Sequence, residues 1–316
     1  MPLVVGIDEA GFGPTLGPLV VGASLWHIPD KKLRCDLWRE LRGAVTRAGE
    51  KSSWKLAVDD SKQVYDRQRL ATLERPVLAF ARAAGLPCDS FVRLAGAMSA
   101  LAPSRDIPWY AELDLPLPID GAPAQFDAVA EKLARCMDAA GVRCCGLLAR
   151  VVTEDHYNDR VAATRNKSAV VVEQVLSLID ACGRGAGERV VFHVDRLGGR
   201  VEYRRLLQTA FPDRAIRELE IDAQRSRYRL SNESSDWFIS FEVSAEKAQL
   251  PVALASMLAK YLREVIMRNF NAFWRRWAPD VRPTAGYYND AQRFLADIAP
   301  ILGQAGVPRE RFVRSR

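Results

Sequence analysis

Histidine is scarce in this chain: three in 316 residues, and none within five residues of another. The six cysteines are scattered and never form a Cys-x-x-Cys pair. Too few ligands remain for a zinc site, so Cys35, Cys88, Cys136, Cys144, Cys145 and Cys182 are expected to be small buried thiols. No run of about 18 apolar residues is present, and no helical membrane span is expected. The opening Met1-Pro2-Leu3-Val4-Val5 lacks the basic start and longer apolar stretch of a secretory signal, so a cytoplasmic protein is expected. Gly-Lys-Ser/Thr never follows the glycine-rich turn at 11–17, which excludes a phosphate-binding loop of the NTPase kind. The chain has no internal repeat and no low-complexity tract.

What is present is the material for a globular α/β protein. The length suits one large domain or two modest ones, and 48% hydrophobic residues provide a sizeable core. A net charge of +6 and a pI of about 9.1 are compatible with a nucleic-acid partner without establishing one. Residues 3–7 read as a strand, 11–17 as a turn and 18–26 as a second strand. Residues 31–49 read as a basic surface helix and loop. A helix is expected over 65–84, capped by Asp66 or Ser61, with Leu70, Leu73, Val77 and Phe80 on one apolar face. Proline-rich 85–125, with Pro87, Pro103, Pro108, Pro116, Pro118 and Pro123, reads as an insertion wrapped over the domain. A helix over 126–140, a strand over 144–153, a helix over 166–182 and a buried strand over 190–195 follow. Strands at 215–222 and 237–243 flank the basic stretch 224–229, and helices follow at 251–273 and 290–303. Strands mixed with helices in this order predict an α/β domain around one sheet.

Acidic residues stand out by position. Asp8 and Glu9 follow an otherwise apolar strand immediately before a glycine turn, and Asp195 ends a second apolar strand. Carboxylates at the inner edge of a sheet are costly unless their charge is compensated. A divalent cation compensates it well, because Mg²⁺ and Mn²⁺ prefer hard oxygen ligands. Two such ions can activate a water and stabilise the leaving oxygen of a phosphodiester without a histidine nucleophile. Taken singly, each acid reads more readily as a solvated strand-end or turn residue.

Six segments, in order along the chain, carry a resemblance. Gly6-Ile7-Asp8-Glu9-Ala10-Gly11-Phe12-Gly13-Pro14, followed by Gly17-Pro18-Leu19-Val20-Val21, resembles the Asp-Glu-Ala-Gly-Arg-Gly-Pro and Gly-Pro-Val-Val signature of the ribonuclease HII family, the type 2 ribonucleases H. Asp60-Ser61-Lys62 is similar to the family's Asp-Ser-Lys, and Asp195 sits where the family has a strand-ending aspartate. Ala255-Ser256-Met257-Leu258-Ala259-Lys260, with Arg263-Glu264, looks like its Ala-Ser-Ile-x-Ala-Lys-x-x-Arg-Asp helix. Ten residues before Ser256 lies Glu246, where the family places its fourth acid, with Glu242 as the alternative if the alignment slips. Gly286-Tyr287-Tyr288-Asn289-Asp290 resembles the Gly-Tyr-Pro-Asn-Asp turn of the archaeal and eukaryotic branch, and Phe312-Val313-Arg314-Ser315 the closing segment.

The resemblance implies an RNase H-like fold, a mixed central sheet flanked by helices with a helical C-terminal extension. It implies a catalytic domain over 1–273, with the insertion at about 85–125, and a small segment, 274–316, that completes the substrate site. Asp8, Glu9, Asp195 and Glu246 are the implied catalytic residues, binding two Mg²⁺ or Mn²⁺ ions. Gly11, Phe12, Gly13, Lys62, Lys260, Arg263 and Tyr287 are the implied substrate-binding residues, with Tyr287 packing on the sugar beside the cleaved linkage. The implied partner is an RNA–DNA hybrid or ribonucleotide-containing duplex DNA, cut to leave 3′-hydroxyl and 5′-phosphate ends.

Three departures bear on this. Phe12 replaces the arginine of Gly-Arg-Gly, which touches junction recognition more than hybrid cleavage. Glu246 is one methylene longer than the usual aspartate, which bears on Mn²⁺ against Mg²⁺. The 85–125 insertion and the 215–243 excursion exceed the compact bacterial form. In the latter, Arg225, Arg227 and Arg229 with Tyr228 alternate like a strand face that grips phosphate, or like an ordinary solvated hairpin. A nuclease of changed substrate and a non-catalytic nucleic-acid-binding relative are the rival readings. The retention of four acids near a polyanion argues against the second.

Overall fold

The first strand, buried on both faces over its first six residues, extends further than its apolar letters. Strand β1 (Leu3–Ala10) runs through Asp8 and Glu9, because β2 (Leu19–His27) pairs with it antiparallel as far as Ala10↔Val20. The computed structural model describes residues 1–50, 54–66, 69–100, 107–121 and 123–315. The remaining strands of the main sheet are β3 (Arg143–Val152), β4 (Arg189–Asp195), β5 (Ala215–Ile221), β6 (Arg225–Ser231) and β7 (Asp236–Glu242). Their order is β3-β2-β1-β4-β7-β6-β5. β4 is parallel to both β1 and β7, whereas β5, β6 and β7 form an antiparallel meander. The basic stretch 224–229 is therefore mostly strand.

Helices cover the two faces unequally. The principal ones are α1 (Ala71–Ala83), α2 (Pro123–Ala140), α3 (Glu154–Thr164), α4 (Lys167–Gly183), α5 (Leu250–Trp277) and α6 (Tyr288–Ile298). Leu3, Val5, Ile7, Phe192 and Trp237 pack with α4 in one core. Val4, Val20 and Trp26 pack with α1 and α5 in the other. Helix α5 lies directly on β1 and β2 because both strands present glycine there. A β carbon on Gly6 would lie 2.1 Å from the Pro251 carbonyl carbon, and one on Gly22 would lie 2.6 Å from the Ala255 oxygen.

Several expectations are corrected. The helix expected over 65–84 is shorter, beginning at Ala71, and its entry residue Leu70 makes no side-chain cap. Residues 67 and 68 lie outside the described residues. Asp60, neither Asp66 nor Ser61, is the cap nearby, accepting from the Lys62 N–H (3.0 Å) ahead of a separate turn of helix, Ser61–Val64. Residues 31–49 are more than surface, since Trp38, Leu41 and Val45 are core. Helix α3 was not expected at all; its apolar face is weak. Of the thiols, Cys144 and Cys182 are buried, but Cys35 is exposed.

The described residues of 85–125 are packed into the core rather than only wrapped over it. Pro103 and the side chain of Pro123 lie outside the described residues. Trp109 is fully buried against Phe270, Phe273, Trp274 and Phe312, so residues from 85–125, α5 and the C-terminus share one aromatic cluster. Met98 and Ala100 carbonyls accept from the Ala149 and Val151 N–H groups (3.0 and 2.8 Å), covering the open edge of β3.

Two buried glutamates fasten the segment. Glu74 accepts from the Ile119 and Asp120 N–H groups (each 2.8 Å) and from the Tyr261 hydroxyl (3.0 Å). Removing it leaves buried donors without partners, so Glu74→Ala is expected to lower stability by about 3 kcal/mol in urea unfolding. A loss under about 1 kcal/mol would show that water replaces the carboxylate. Glu154 accepts from the Tyr110 hydroxyl (2.8 Å), and burial pushes its pKa from 4.5 up to about 7. Its folded pKa lies above its unfolded value, so the contribution is full below about pH 4.5 and is lost as pH rises through 7. The span is on the order of 3 kcal/mol. Glu154→Gln keeps an acceptor for Tyr110 and should remove this pH dependence. Wild type minus variant, followed by urea unfolding from pH 5 to 8, is expected to fall, and a flat difference would sink the assignment.

Candidate active site

Parallel pairing of β1 and β4 brings their carboxyl ends, and therefore Asp8, Glu9 and Asp195, to one edge of the sheet. Beyond β7 the chain turns at Ser244, held at φ 54°, and the Ala245 N–H donates to Asp195 Oδ1 (2.9 Å). The short helix Ala245–Ala248 that begins there delivers Glu246 beside Asp195, with which it shares a hydrogen bond. Asp8 accepts from the Glu9 N–H (2.7 Å) and from the Ser256 hydroxyl on α5. Ser256 also bonds Ser61 (3.1 Å). The turn at 61–64 is thereby tied to the acids, and the Lys62 charge acts on Glu9 and Asp195.

The four carboxyls stand in one another's field. Burial, then Glu9 and Asp195, push the Asp8 pKa well above the ordinary range. Burial and Asp195 push Glu9 up to about 7, and the same two causes push Glu246 up to about 7. Asp195 is raised chiefly by burial. One oxygen each of Glu9 and Glu246 is buried without a hydrogen-bond partner. Such a set suits a hard dication, which would satisfy those oxygens and relieve the repulsion. Among the described residues no three side chains form a closed ligand set in this conformation. Glu242, the alternative fourth acid, lies in register with Asp195, but its carboxylate is taken by His193 and the Ser240 hydroxyl. His193, 3.6 Å away, and the Ser240 hydroxyl hold its pKa down to about 2.

The rim is built from the glycine loop and the C-terminal segment. Gly11 adopts φ 89°, and a β carbon there would lie 2.5 Å from the Pro18 oxygen, so only glycine fits. Gly13 is open, with nothing within 4 Å of the place its β carbon would take. Phe12 packs its ring against the α4-side core, with the Lys167 ammonium 5.9 Å from its centre. Arg314, almost fully buried, stacks on Tyr157 (3.8 Å) and donates to the carbonyls of Gly11 and Phe12. Phe12, Gly13, Thr15, Tyr157, Lys167 and Arg314 line a cavity of about 250 Å³. The Gly286 carbonyl accepts from the Thr15 and Leu16 N–H groups (2.8 and 3.1 Å), which stands Tyr287 at the rim, about half exposed.

Two of the implied substrate contacts face inward. Arg263 is 1% exposed; its guanidinium donates to the Leu16 and Ala285 carbonyls (3.2 and 3.0 Å), so it bolts the glycine loop to the Gly286 turn. Lys260 is paired with Glu264 (2.7 Å) and lies over the Tyr65 ring. No site role was read from the sequence for Ser61, Ser256, Lys167 or Arg314, although Arg314 lies in the closing segment. The first two sit inside recognised motifs, but hydroxyls carry little signal without their partners.

The fold and site together define a class: a mixed α/β sheet, helices on both faces, gathering carboxylates at the ends of two parallel strands. No family model matches the sequence, and no curated protein matches it. Among solved structures, the chain is similar to RNase HII of Archaeoglobus fulgidus in its complex with PCNA, at 16% identity over 99% of this chain and 94% of that one, TM-score 0.42. It is similar to ribonuclease H2 of Pyrococcus horikoshii OT3 (15% identity, 98% and 92% covered, TM-score 0.43) and to Bst-RNase HIII in complex with Mn²⁺ (14%, 99% and 66%, TM-score 0.47). Likenesses at this level of identity say nothing of activity.

Proposed function

We propose that the protein is a metal-dependent endoribonuclease of the type 2 ribonuclease H family, cutting the RNA strand of RNA–DNA hybrids and single ribonucleotides in duplex DNA. The observation that carries this reading is the convergence of Asp8, Glu9, Asp195 and Glu246 at one sheet edge, two of them with buried, unsatisfied oxygens. Mg²⁺ or Mn²⁺ held by these four acids would supply an activated water and charge neutralisation at a phosphodiester, leaving 3′-hydroxyl and 5′-phosphate ends. Ser256 orients the Asp8 carboxylate, and the Ala245 N–H orients that of Asp195. Lys62 tempers the negative field that a polyanion must enter. Arg314 turns the Gly11 and Phe12 carbonyls inward, leaving the open Gly13 for close backbone approach to the substrate. Tyr287 offers a ring for packing on a sugar.

Phe12 favours a second reading within the same chemistry, hybrid cleavage with little preference for the RNA–DNA junction. The test is incubation of the purified chain with an RNA–DNA hybrid, a DNA duplex carrying one ribonucleotide and an all-DNA duplex, in Mg²⁺ and then Mn²⁺, with Asp195→Asn as control. Cutting of either ribonucleotide substrate, lost in the variant, is expected, and the ratio of the two reads out the effect of Phe12. Cutting of all-DNA alone would replace the reading by a nuclease of changed substrate. Binding without any cutting would leave a non-catalytic relative.

A further inference from the structure

On the α5 side of the sheet the helices stop short. The surface of β4, β7 and β6 opens there on a groove of about 770 Å³ that begins at Glu242 and His193, next to the acids, and runs back along β4 to Arg189. From Asp195 to Arg189 that is about 20 Å at the rise of a strand. Five cationic side chains and two carboxylates line it. Its outer wall exists only because β6 is added beyond β7.

The sequence grouped Arg225, Arg227, Arg229 and Tyr228, and the strand separates them. Tyr228 points to the other face, fully buried, its hydroxyl accepting from the Tyr203 N–H (3.0 Å). Arg229 is held by Asp236 through two hydrogen bonds (3.0 and 2.7 Å). Arg225 and Arg227 share one carboxylate, Glu220, at 3.5 and 3.2 Å, so the trio keeps a net positive charge beside the groove. Exposed Lys31 and Arg34 stand on the opposite wall. The floor holds Phe238, half-buried, with the Arg189 guanidinium 5.2 Å from its ring.

We infer that this groove binds a single nucleic-acid strand, with Arg225, Arg227 and Arg189 on phosphates and Phe238 under a base. A basic channel floored by an aromatic ring is the arrangement that tracks single strands without reading their sequence. The volume is that of a small-ligand cleft, room for a few nucleotides of one strand and not for a duplex. The position rests on the proposed nuclease reading in one respect only: the strand would lead away from the acid cluster.

The test is fluorescence anisotropy of a fluorescein-labelled oligothymidine of about twelve nucleotides, measured on the full chain in EDTA so that no cutting intervenes. Arg225→Gln/Arg227→Gln is expected to weaken binding roughly 10-fold or more and to reduce the slope of log affinity against log salt by about 1.4. Phe238→Leu, which keeps the floor filled, is expected to weaken binding roughly 5-fold or more with the salt slope unchanged. No measurable binding by wild type, or an unchanged affinity and slope in the arginine variant, overturns the groove. Hybrid cleavage assayed alongside separates the two ideas. Groove-dependent binding without cleavage keeps the groove and sinks the nuclease, and cleavage with groove-independent binding does the reverse.

Discussion

Asp8→Asn is expected to lower kcat on an RNA–DNA hybrid by roughly 10²–10³-fold while the protein stays folded. Asparagine retains an oxygen that can accept from the Glu9 N–H. What it removes is a charge that burial, Glu9 and Asp195 all oppose. In chelator the variant should therefore melt at the same temperature as wild type or higher, since relief of like-charge repulsion favours the folded state. In Mg²⁺ or Mn²⁺ the order reverses. Wild type gains up to about 2.7 kcal/mol at a metal concentration near a hundred times Kd, and the variant, with a ligand missing, gains less. Thermal unfolding in chelator and in metal, read beside kcat, checks both halves. A variant that keeps a tenth of the wild-type rate, or a wild type whose melting ignores divalent metal, would remove Asp8 from the proposed centre.

Gly6→Ala should be the most damaging single methyl group in the molecule. Its β carbon would meet the Pro251 carbonyl carbon at 2.1 Å and the Val252 nitrogen at 2.3 Å, both backbone atoms of α5. Backbone cannot swing aside as a side-chain tip does, so the loss belongs at the upper end for overpacking, about 3 kcal/mol or more. Activity should fall with stability, because α5 carries Ser256 and the Glu246 turn precedes it directly. Gly13→Ala is the control, with open space around the added carbon and an expected stability change within about 0.5 kcal/mol. Urea unfolding of the two variants decides it: equal losses would mean that α5 does not lie so close to β1.

Much of this was legible in the residues. Apolar runs bounded by glycine marked β1, β2 and β4 to within three residues, and the acids at 8, 9 and 195 stood out because charge at the end of a buried strand is rare. The long α5 was legible from Pro251, which suits a first helical turn. These are local signals, carried by the chain within one strand or a few helical turns.

The rest depended on partners far along the chain. Glu242 and Glu246 are chemically alike and four residues apart; only the turn at Ser244 and the Ala245–Asp195 bond, 50 residues in span, set Glu246 among the acids and Glu242 in the groove. Arg263 reads as a phosphate contact in its motif, yet the carbonyls of Leu16 and Ala285 claim it. Arg314 is one arginine among many until its fold sets it under Gly11 and Phe12. Segment 85–125 has no period to betray that Trp109 and Glu74 tie it into the core. Local periodicity and turn residues marked most strands, the long helices and the acids, though not α3 or the late start of α1 at Ala71. Tertiary structure alone decided which polar groups meet, because a buried donor takes whatever acceptor the packing brings within 3 Å, however distant in the chain.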